Sequence, residues 1–136
     1  MDSIYFSEEH ILLQKMVRDF AKNDLAPLAQ TIDSQAQFPM ESMQKIKELG
    51  LMGIPWDREY GGGGMDTLSL VIVINEIAKH CVSTAATVMA HTSLGTGPFQ
   101  YFGTKDQKRK YLSKLASGEM IGSFGLTEPN AGSDAG

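Results

Sequence analysis

The chain has 136 residues, a formal net charge of −4, 42% hydrophobic residues and 21% charged residues. This size and composition predict one globular unit with a real core, and the acidic balance argues against a nucleic-acid binder. The longest apolar run, Leu70 to Ile74, is too short to cross a bilayer, and the N-terminus does not resemble a signal peptide. We therefore expect a cytoplasmic protein without membrane contact. The single cysteine, Cys81, suggests neither a disulfide nor a metal site.

The first predicted element is an amphipathic helix. Ser7 is a favourable N-cap ahead of two glutamates, and apolar residues recur at every fourth position from Leu12 to Phe20. Pro27 disfavours helical geometry in the residue before it, so this helix is expected to end near Ala26. The polar stretch 30–37 has no apolar period and is predicted to be a loop.

A second helix is predicted to open at Phe38-Pro39, with the proline at its first helical position. Its buried stripe is expected to consist of Met43, Ile46 and Leu49. Gly50 follows this stripe, and a glycine there fits a left-handed C-terminal cap.

The glycines at 61–64 match neither the Walker A nor the dinucleotide-binding pattern, so they predict a loop with unusual backbone angles. Asp66 or Thr67 is expected to cap the next element. Its β-branched run at 70–74 is typical of a buried strand. The length of the segment from Leu68 to about His80 instead favours a helix that is buried on most sides.

Ser83 is predicted to start a helix that runs to about Leu94, where the glycines and proline of 95–98 should break it. Small residues on this helix would allow close packing of its neighbours. His91 has no acid or cysteine near it in sequence, so we expect a satisfied packing histidine rather than a catalytic residue or a metal ligand.

The last helix is predicted to begin with a capping box formed by Thr104 and Gln107 and to close at Gly118. Ile121 to Leu126 then has the composition of a strand. Several helices followed by one strand fit a helical domain whose chain is entering a β domain.

The segment Phe124–Asp134 combines a Glu-Pro turn with small residues and two hydroxyls, those of Thr127 and Ser133. Glycine permits close backbone approach, and successive backbone N–H groups can form a concavity for an anion or a polar heterocycle. Composition alone favours a plain exposed turn.

These eleven ordered residues resemble the signature of the acyl-CoA dehydrogenase flavoproteins, and the version with Leu126 and Asn130 is similar to bacterial short-chain, butyryl-CoA-type members. Further similar segments occur in the family's order at 25–27, 48–54, 59–62, 76–78 and 102–108. The resemblance implies a mainly α fold, with an N-terminal all-helical domain (a helix bundle) over residues 1–119. Residues 120–136 would begin a middle β domain that carries the FAD-binding signature.

The resemblance also implies an oxidoreductase of fatty acid metabolism. In this family FAD removes a hydride from the acyl β-carbon while a carboxylate takes the α-proton, which gives a trans-2-enoyl-CoA. The family's catalytic glutamate belongs to a C-terminal helical region and is expected beyond residue 136, so Glu128 is not assigned that role. We expect this chain alone to be inactive. The implied partners are an acyl-CoA, an electron-transfer flavoprotein and, in a homotetramer, further copies of the protein.

Carried over by position, the implied FAD contacts lie at six signature residues. Leu126 corresponds to a main-chain flavin contact, Thr127 to a hydroxyl near the flavin ring, and Ser133 to a residue that meets both FAD and the substrate. Phe124 stands where many members have tyrosine. The phenylalanine lacks the phenol and its hydrogen bond but keeps the apolar contact. The full implied set is Phe124, Gly125, Leu126, Thr127, Gly132 and Ser133.

Two other kinds of function are compatible with the sequence. The chain fits a flavin- or CoA-binding module that has lost its catalytic part, and it also fits a helical interaction module with no ligand. Among enzymes, an acyl-CoA oxidase-like flavoprotein is an alternative, because the residues that set oxygen access and acyl-chain length lie largely beyond Gly136.

Overall fold

Helices make up most of the chain in the computed structural model, which describes residues 4–134. Two shorter 3₁₀ turns, Leu51–Gly53 and Arg58–Tyr60, lie in the long connection between the third and fourth helices. Within residues 4–134, each helix is too short or too polar to span a lipid bilayer. The α-helices are α1 Glu8–Phe20, α2 Ala26–Ser34, α3 Met40–Glu48, α4 Thr67–Ala78, α5 Val82–Met89, α6 Gly97–Phe102, α7 Lys105–Gln107 and α8 Ser113–Ala116.

Three π-helical segments join pairs of these helices without a break in helical backbone angles. Ala21–Leu25 joins α1 to α2, Ala90–Thr96 joins α5 to α6, and Lys108–Leu112 joins α7 to α8. The predicted ends at Ala26 and at 95–98 are therefore wrong, and most of the predicted loop at 30–37 is helical. A proline inside an α-helix clashes with the carbonyl four residues earlier. The wider turn just before each proline relieves that clash, so the helix continues.

The core lies between α1, α4 and α5, and α4 is its centre. α4 buries apolar residues on most of its circumference, although Val71 remains 53% exposed, so the predicted helix is confirmed over its strand-like sequence. α1 contributes Leu13 and Val17, and the π segment after it contributes Ala21 and Leu25. The remaining buried core residues include Met43, Ile46, Leu51, Met52, Ile54, Leu70, Ile72, Val73, Ile77, Ala85 and Val88.

The second predicted helix is confirmed with two corrections. α3 begins at Met40, so the proline occupies the N-cap rather than the first helical position, and Leu49 is 44% exposed rather than buried. Leu49 already lies past the last helical turn, and Leu51 and Met52 take the inward positions in the following 3₁₀ turn. Gly50 has φ +70°, which confirms the predicted left-handed cap.

Glu76 is a fully buried carboxylate that ties α4 to α1. Its Oε1 accepts hydrogen bonds from Gln14 Nε2 at 2.9 Å, Lys79 Nζ at 2.7 Å and Arg18 Nη2 at 3.2 Å, and its Oε2 accepts one from Arg18 Nε at 3.2 Å. Burial alone would raise the pKa of Glu76, but the hydrogen bonds from Arg18 and Lys79 outweigh it and hold the pKa below its usual value. Glu76 is therefore ionised at neutral pH.

Asp66 confirms one of the two predicted caps for α4. Its Oδ1 accepts hydrogen bonds from the backbone N–H and the hydroxyl of Ser69, each at 2.8 Å, and lies 3.0 Å from His10 Nε2 on α1. The hydrogen bond from His10 is the largest of the effects that lower the pKa of Asp66 to about 2. The carboxylate therefore stabilises the fold above its unfolded pKa of about 4, and this contribution is lost as the pH falls towards 2.

Asp66→Ala is expected to lower the free energy of unfolding by about 1 kcal/mol at pH 7, because the first turn of α4 loses its cap. Asp66→Asn should cost less, since an asparagine oxygen can still accept from Ser69. Urea unfolding of the two variants checks this order. Equal losses would mean that the pairing with His10, rather than the cap, carries the effect.

The predicted strand at Ile121 to Leu126 is wrong for the described part of the chain. Residues 121–127 form no strand, and residues 4–134 contain only one isolated bridge, between Glu128 and Ala131. A strand forms only when a neighbouring strand takes up its backbone hydrogen bonds, and residues 4–134 supply no such neighbour.

Candidate functional site

The signature segment folds back on itself in a tight turn. The N–H of Glu128 donates to the carbonyl of Ala131 at 2.7 Å, and the N–H of Ala131 donates to the carbonyl of Glu128 at 3.2 Å. The turn returns Gly132 to Thr127, since a Cβ built on Gly132 would lie 3.8 Å from Thr127 Cγ2. Two of the six predicted cofactor contacts are thus neighbours, and Ser133 follows directly in the chain.

The three other predicted contacts lie on the arm that leads into this turn. Phe124 and Leu126 are 53% and 50% exposed, and within residues 4–134 no atom beyond the two chain neighbours lies within 4 Å of a Cβ built on Gly125. Among residues 4–134, no backbone hydrogen bond engages the N–H groups of residues 124–127. The arm therefore offers free backbone donors and apolar surface to a further group.

His91 anchors the beginning of this arm. It is fully buried in the π segment Ala90–Thr96, and its Nδ1 accepts a hydrogen bond from the N–H of Gly122 at 2.9 Å. Because a backbone N–H can only donate, Nε2 carries the ring proton and donates to the carbonyl of Leu115 at 3.1 Å. Burial lowers the pKa of His91, which keeps the imidazole neutral at pH 7. The predicted packing role of His91 is confirmed.

A groove of about 390 Å³ lies between the signature arm and α5. Ala86 and Ala90 form part of its wall, so these small residues leave space where the sequence predicted close helix packing. Its lining is mainly apolar, and it begins at the signature residue Phe124. The full lining is Phe38, Ala86, Thr87, Ala90, Leu94, Ile121, Gly122, Ser123 and Phe124.

Sequence reasoning missed both the groove and the anchor at His91. Three separate segments of the chain line the groove, and the residues of the anchor are 24 and 31 positions apart. The spacing of Ala86 and Ala90 was the one available signal for the groove. Residues one helical turn apart lie on the same face of a helix, and two short side chains there leave a depression in its surface.

Residues 7–119 match the family described as "Acyl-CoA dehydrogenase, N-terminal domain". The chain therefore belongs to the acyl-CoA dehydrogenase family, as the signature predicted. It is 52% identical over 130 residues to the probable acyl-CoA dehydrogenase YngJ of Bacillus subtilis, a match that covers 96% of this chain and 34% of that protein. The chain thus spans about a third of the length of this curated relative.

Solved structures of the same family share the fold. The butyryl-CoA dehydrogenase of Megasphaera elsdenii is 35% identical with a TM-score of 0.89, over 98% of this chain and 36% of that one. An acyl-CoA dehydrogenase of Bacillus anthracis complexed with FAD is 36% identical with a TM-score of 0.85, over 96% of this chain and 22% of that one. These matches confirm the predicted mainly helical N-terminal domain.

Proposed function

We propose that this chain provides the N-terminal helical domain and the first flavin-binding turn of an enzyme that converts a short-chain acyl-CoA to a trans-2-enoyl-CoA. The observation that carries the proposal is the exposed signature turn beside an apolar groove. In this proposal the helical domain ends at residue 119 and residues 120–136 open the β domain. The match of residues 7–119 to the family's N-terminal domain supports that boundary.

The chemistry of the signature residues fits FAD. A flavin carries hydrogen-bonding nitrogens and oxygens on the edge of a flat apolar ring, and the arm offers free backbone N–H groups beside half-exposed apolar side chains. The hydroxyls of Thr127 and Ser133 add two donors close to the turn. FAD, when bound, supplies the acceptor for the hydride that leaves the acyl β-carbon. The residues that would hold it are Phe124, Gly125, Leu126, Thr127, Gly132 and Ser133.

The acyl-CoA would place its acyl tail in the groove next to the signature. The groove would offer apolar contacts to that tail along Ile121, Leu94 and Ala90, and Phe124 links it to the flavin arm. In the same proposal Ser133 contacts the pantetheine or thioester end of the substrate as well as FAD.

The base that takes the α-proton would come from outside residues 4–134. No carboxylate of the described residues lines the groove, and Glu128 is exposed in the turn with its backbone engaged by Ala131. A base must come within hydrogen-bond reach of the proton it removes. We therefore propose that this chain alone has no dehydrogenase activity. The electron-transfer flavoprotein as acceptor and the homotetramer are proposals that rest on the family, and the cytoplasmic location is a proposal that rests on the sequence.

The decisive experiment uses the complete open reading frame that contains this sequence. The purified product should show the visible absorbance of a bound flavin, and it should reduce a dye acceptor when butyryl-CoA is the electron donor. The 136-residue chain should give no turnover. A complete product without flavin and without turnover would overturn the enzyme proposal. Turnover by the 136-residue chain would contradict the proposal that the catalytic base lies outside it.

Thr127→Val tests the cofactor contact within that protein. Valine keeps the shape of threonine but removes one hydroxyl, and the loss of one hydrogen bond is expected to weaken FAD binding about tenfold. Thr31→Val, at an exposed threonine on α2, is the matched control and should leave the dissociation constant unchanged. Isothermal titration of the apoprotein with FAD measures both. Equal affinities in the two variants would remove Thr127 from the cofactor site.

A further inference from the structure

The signature arm crosses the π segment Ala90–Thr96 with the two backbones in direct contact. A Cβ built on Gly95 would lie 2.6 Å from the carbonyl carbon of Gly122 and 2.9 Å from the nitrogen of Ser123. A Cβ on Gly122 would lie 3.1 Å from the Cα of Gly95. A side chain at position 95 would force the two backbones apart, and one at position 122 would make a tight contact, so the two glycines allow the arm to lie directly on the helix.

His91 holds the same crossing from one turn earlier in the π segment. Its ring bridges the N–H of Gly122 and the carbonyl of Leu115, so it ties the arm to α8 as well as to its own helix. The π segment is itself fixed, because the hydroxyl of Thr96 donates to the His91 carbonyl at 2.7 Å and that of Thr92 donates to the Met52 carbonyl at 3.3 Å. The imidazole therefore has little freedom to move.

The two sides of the groove meet at this crossing. Ala90 and Leu94 of the π segment form one wall, and Gly122 and Ser123 of the arm form the other. Phe124, the first predicted flavin contact, is only two residues beyond the hydrogen bond to His91. A displacement at Gly122 would shift the flavin contacts and the groove wall together.

We propose that His91 is a positioning residue for the flavin site, because its Nδ1 fixes the point from which the signature arm leaves the helical domain. The role follows from a bridge between two backbone groups and needs no contact with FAD or substrate. It rests on the proposed function, in which residues 124–133 contact FAD.

Two substitutions of His91 separate positioning from general stability. In His91→Asn the side-chain Oδ1 replaces Nδ1 and still accepts from Gly122, but the bond to Leu115 is lost. In His91→Gln the side-chain Nε2 replaces the ring Nε2 and still donates to Leu115, but the acceptor for Gly122 is lost. Each variant loses one buried hydrogen bond, so their melting temperatures should lie within a few degrees of each other.

The readouts are FAD affinity of the complete protein and amide hydrogen exchange of the peptide that contains Gly122. His91→Gln should bind FAD about tenfold more weakly than His91→Asn and should lose protection of the Gly122 amide. His91→Asn should keep that protection and stay within about threefold of the wild-type affinity, which a purely structural role would not produce. Equal losses of affinity in the two variants would overturn the proposal.

The wild-type protein gives a test that does not depend on folding of either variant. Its Gly122 amide should exchange as slowly as the amides of the buried helices, also when FAD is absent. Fast exchange at Gly122 would overturn the anchor itself. A protected Gly122 amide in a protein that binds no FAD would overturn the proposed function and, with it, the positioning role, while leaving the contact between His91 and Gly122 in place.

Discussion

Glu76→Gln is expected to lower the free energy of unfolding by about 3 kcal/mol at pH 7, or roughly 10 °C in melting temperature. The glutamine amide would direct N–H groups at side chains that are themselves donors. Arg18 and Lys79, which can only donate, would then compete for one oxygen. Because the side chains of Arg18 and Lys79 are about half exposed, their charges can regain water, which keeps the loss at the lower end for a broken buried ion pair.

The same cluster makes stability depend on pH in a defined direction. The folded pKa of Glu76 lies below its unfolded value, so its contribution is complete above the unfolded pKa, near 4.5, and is lost as the pH falls through the folded value. The wild-type protein should therefore lose stability on acidification faster than Glu76→Gln. Urea unfolding at several pH values between 7 and 3 measures the two slopes.

Glu41→Gln is the matched control for this substitution. Glu41 also pairs with a lysine one helical turn away, Lys45 at 3.4 Å, but its side chain is 64% exposed. An exposed pair of this kind contributes at most about 0.5 kcal/mol. Equal losses for Glu41→Gln and Glu76→Gln would show that burial of the carboxylate is not what makes it important.

Local sequence rules predicted the parts of the fold that local contacts determine. The capping box at Thr104 and Gln107 forms as expected, because each side chain bonds the backbone only three residues away. Gly50 and Gly118 take the left-handed angles that end their helices. The length of the α4 segment predicted a helix despite its β-branched composition, because a buried strand is usually shorter and local propensity is a weak guide to the conformation of a buried segment.

The errors arose where a distant part of the chain decides the local structure. Rules for proline assume an α-helix, and the π turn before Pro27 and before Pro98 changes the geometry that the rule relies on. The segment 121–126 has the composition of a strand, but a strand also needs a neighbour that residues 4–134 do not supply.

The candidate site also combines features that local sequence determines with features that distant residues determine. The eleven residues of the signature were sufficient to predict the cofactor class by resemblance, and the turn brings Thr127 to Gly132 through contacts within that segment. The bond between His91 and Gly122 joins residues 31 positions apart, and no periodicity in one sequence reports such a pair. The resemblance therefore proposes which residues face a ligand, whereas only the structure shows what anchors the beginning of that segment.

Gly62→Ala is expected to lower the free energy of unfolding by about 3 kcal/mol, at the upper end of the usual cost of overpacking. A Cβ on Gly62 would overlap the carbonyl group of Trp56. That carbonyl cannot turn away freely, because it accepts the N–H of Gly64 at 2.9 Å. The Trp56 side chain is also buried in place, at 5% exposure, so the loop has to separate from residues 53–57 to admit a methyl group. Thermal unfolding followed by circular dichroism measures the loss.

Gly97→Ala is the matched control, because Gly97 is buried beside the same tryptophan but has room for a methyl group. A Cβ there would meet only side-chain carbons, Trp56 Cη2 at 3.8 Å and Tyr101 Cε2 at 3.9 Å, which is ordinary contact. Gly97 also has helical backbone angles, so alanine should stabilise the protein by about 0.5–1 kcal/mol. The two substitutions add the same methyl group, one against the backbone of Trp56 and the other near its ring, and are expected to change the melting temperature in opposite directions. A melting temperature of Gly62→Ala within 2 °C of wild type would mean that the glycine loop adapts, and that its glycines serve turn angles rather than close contact with Trp56.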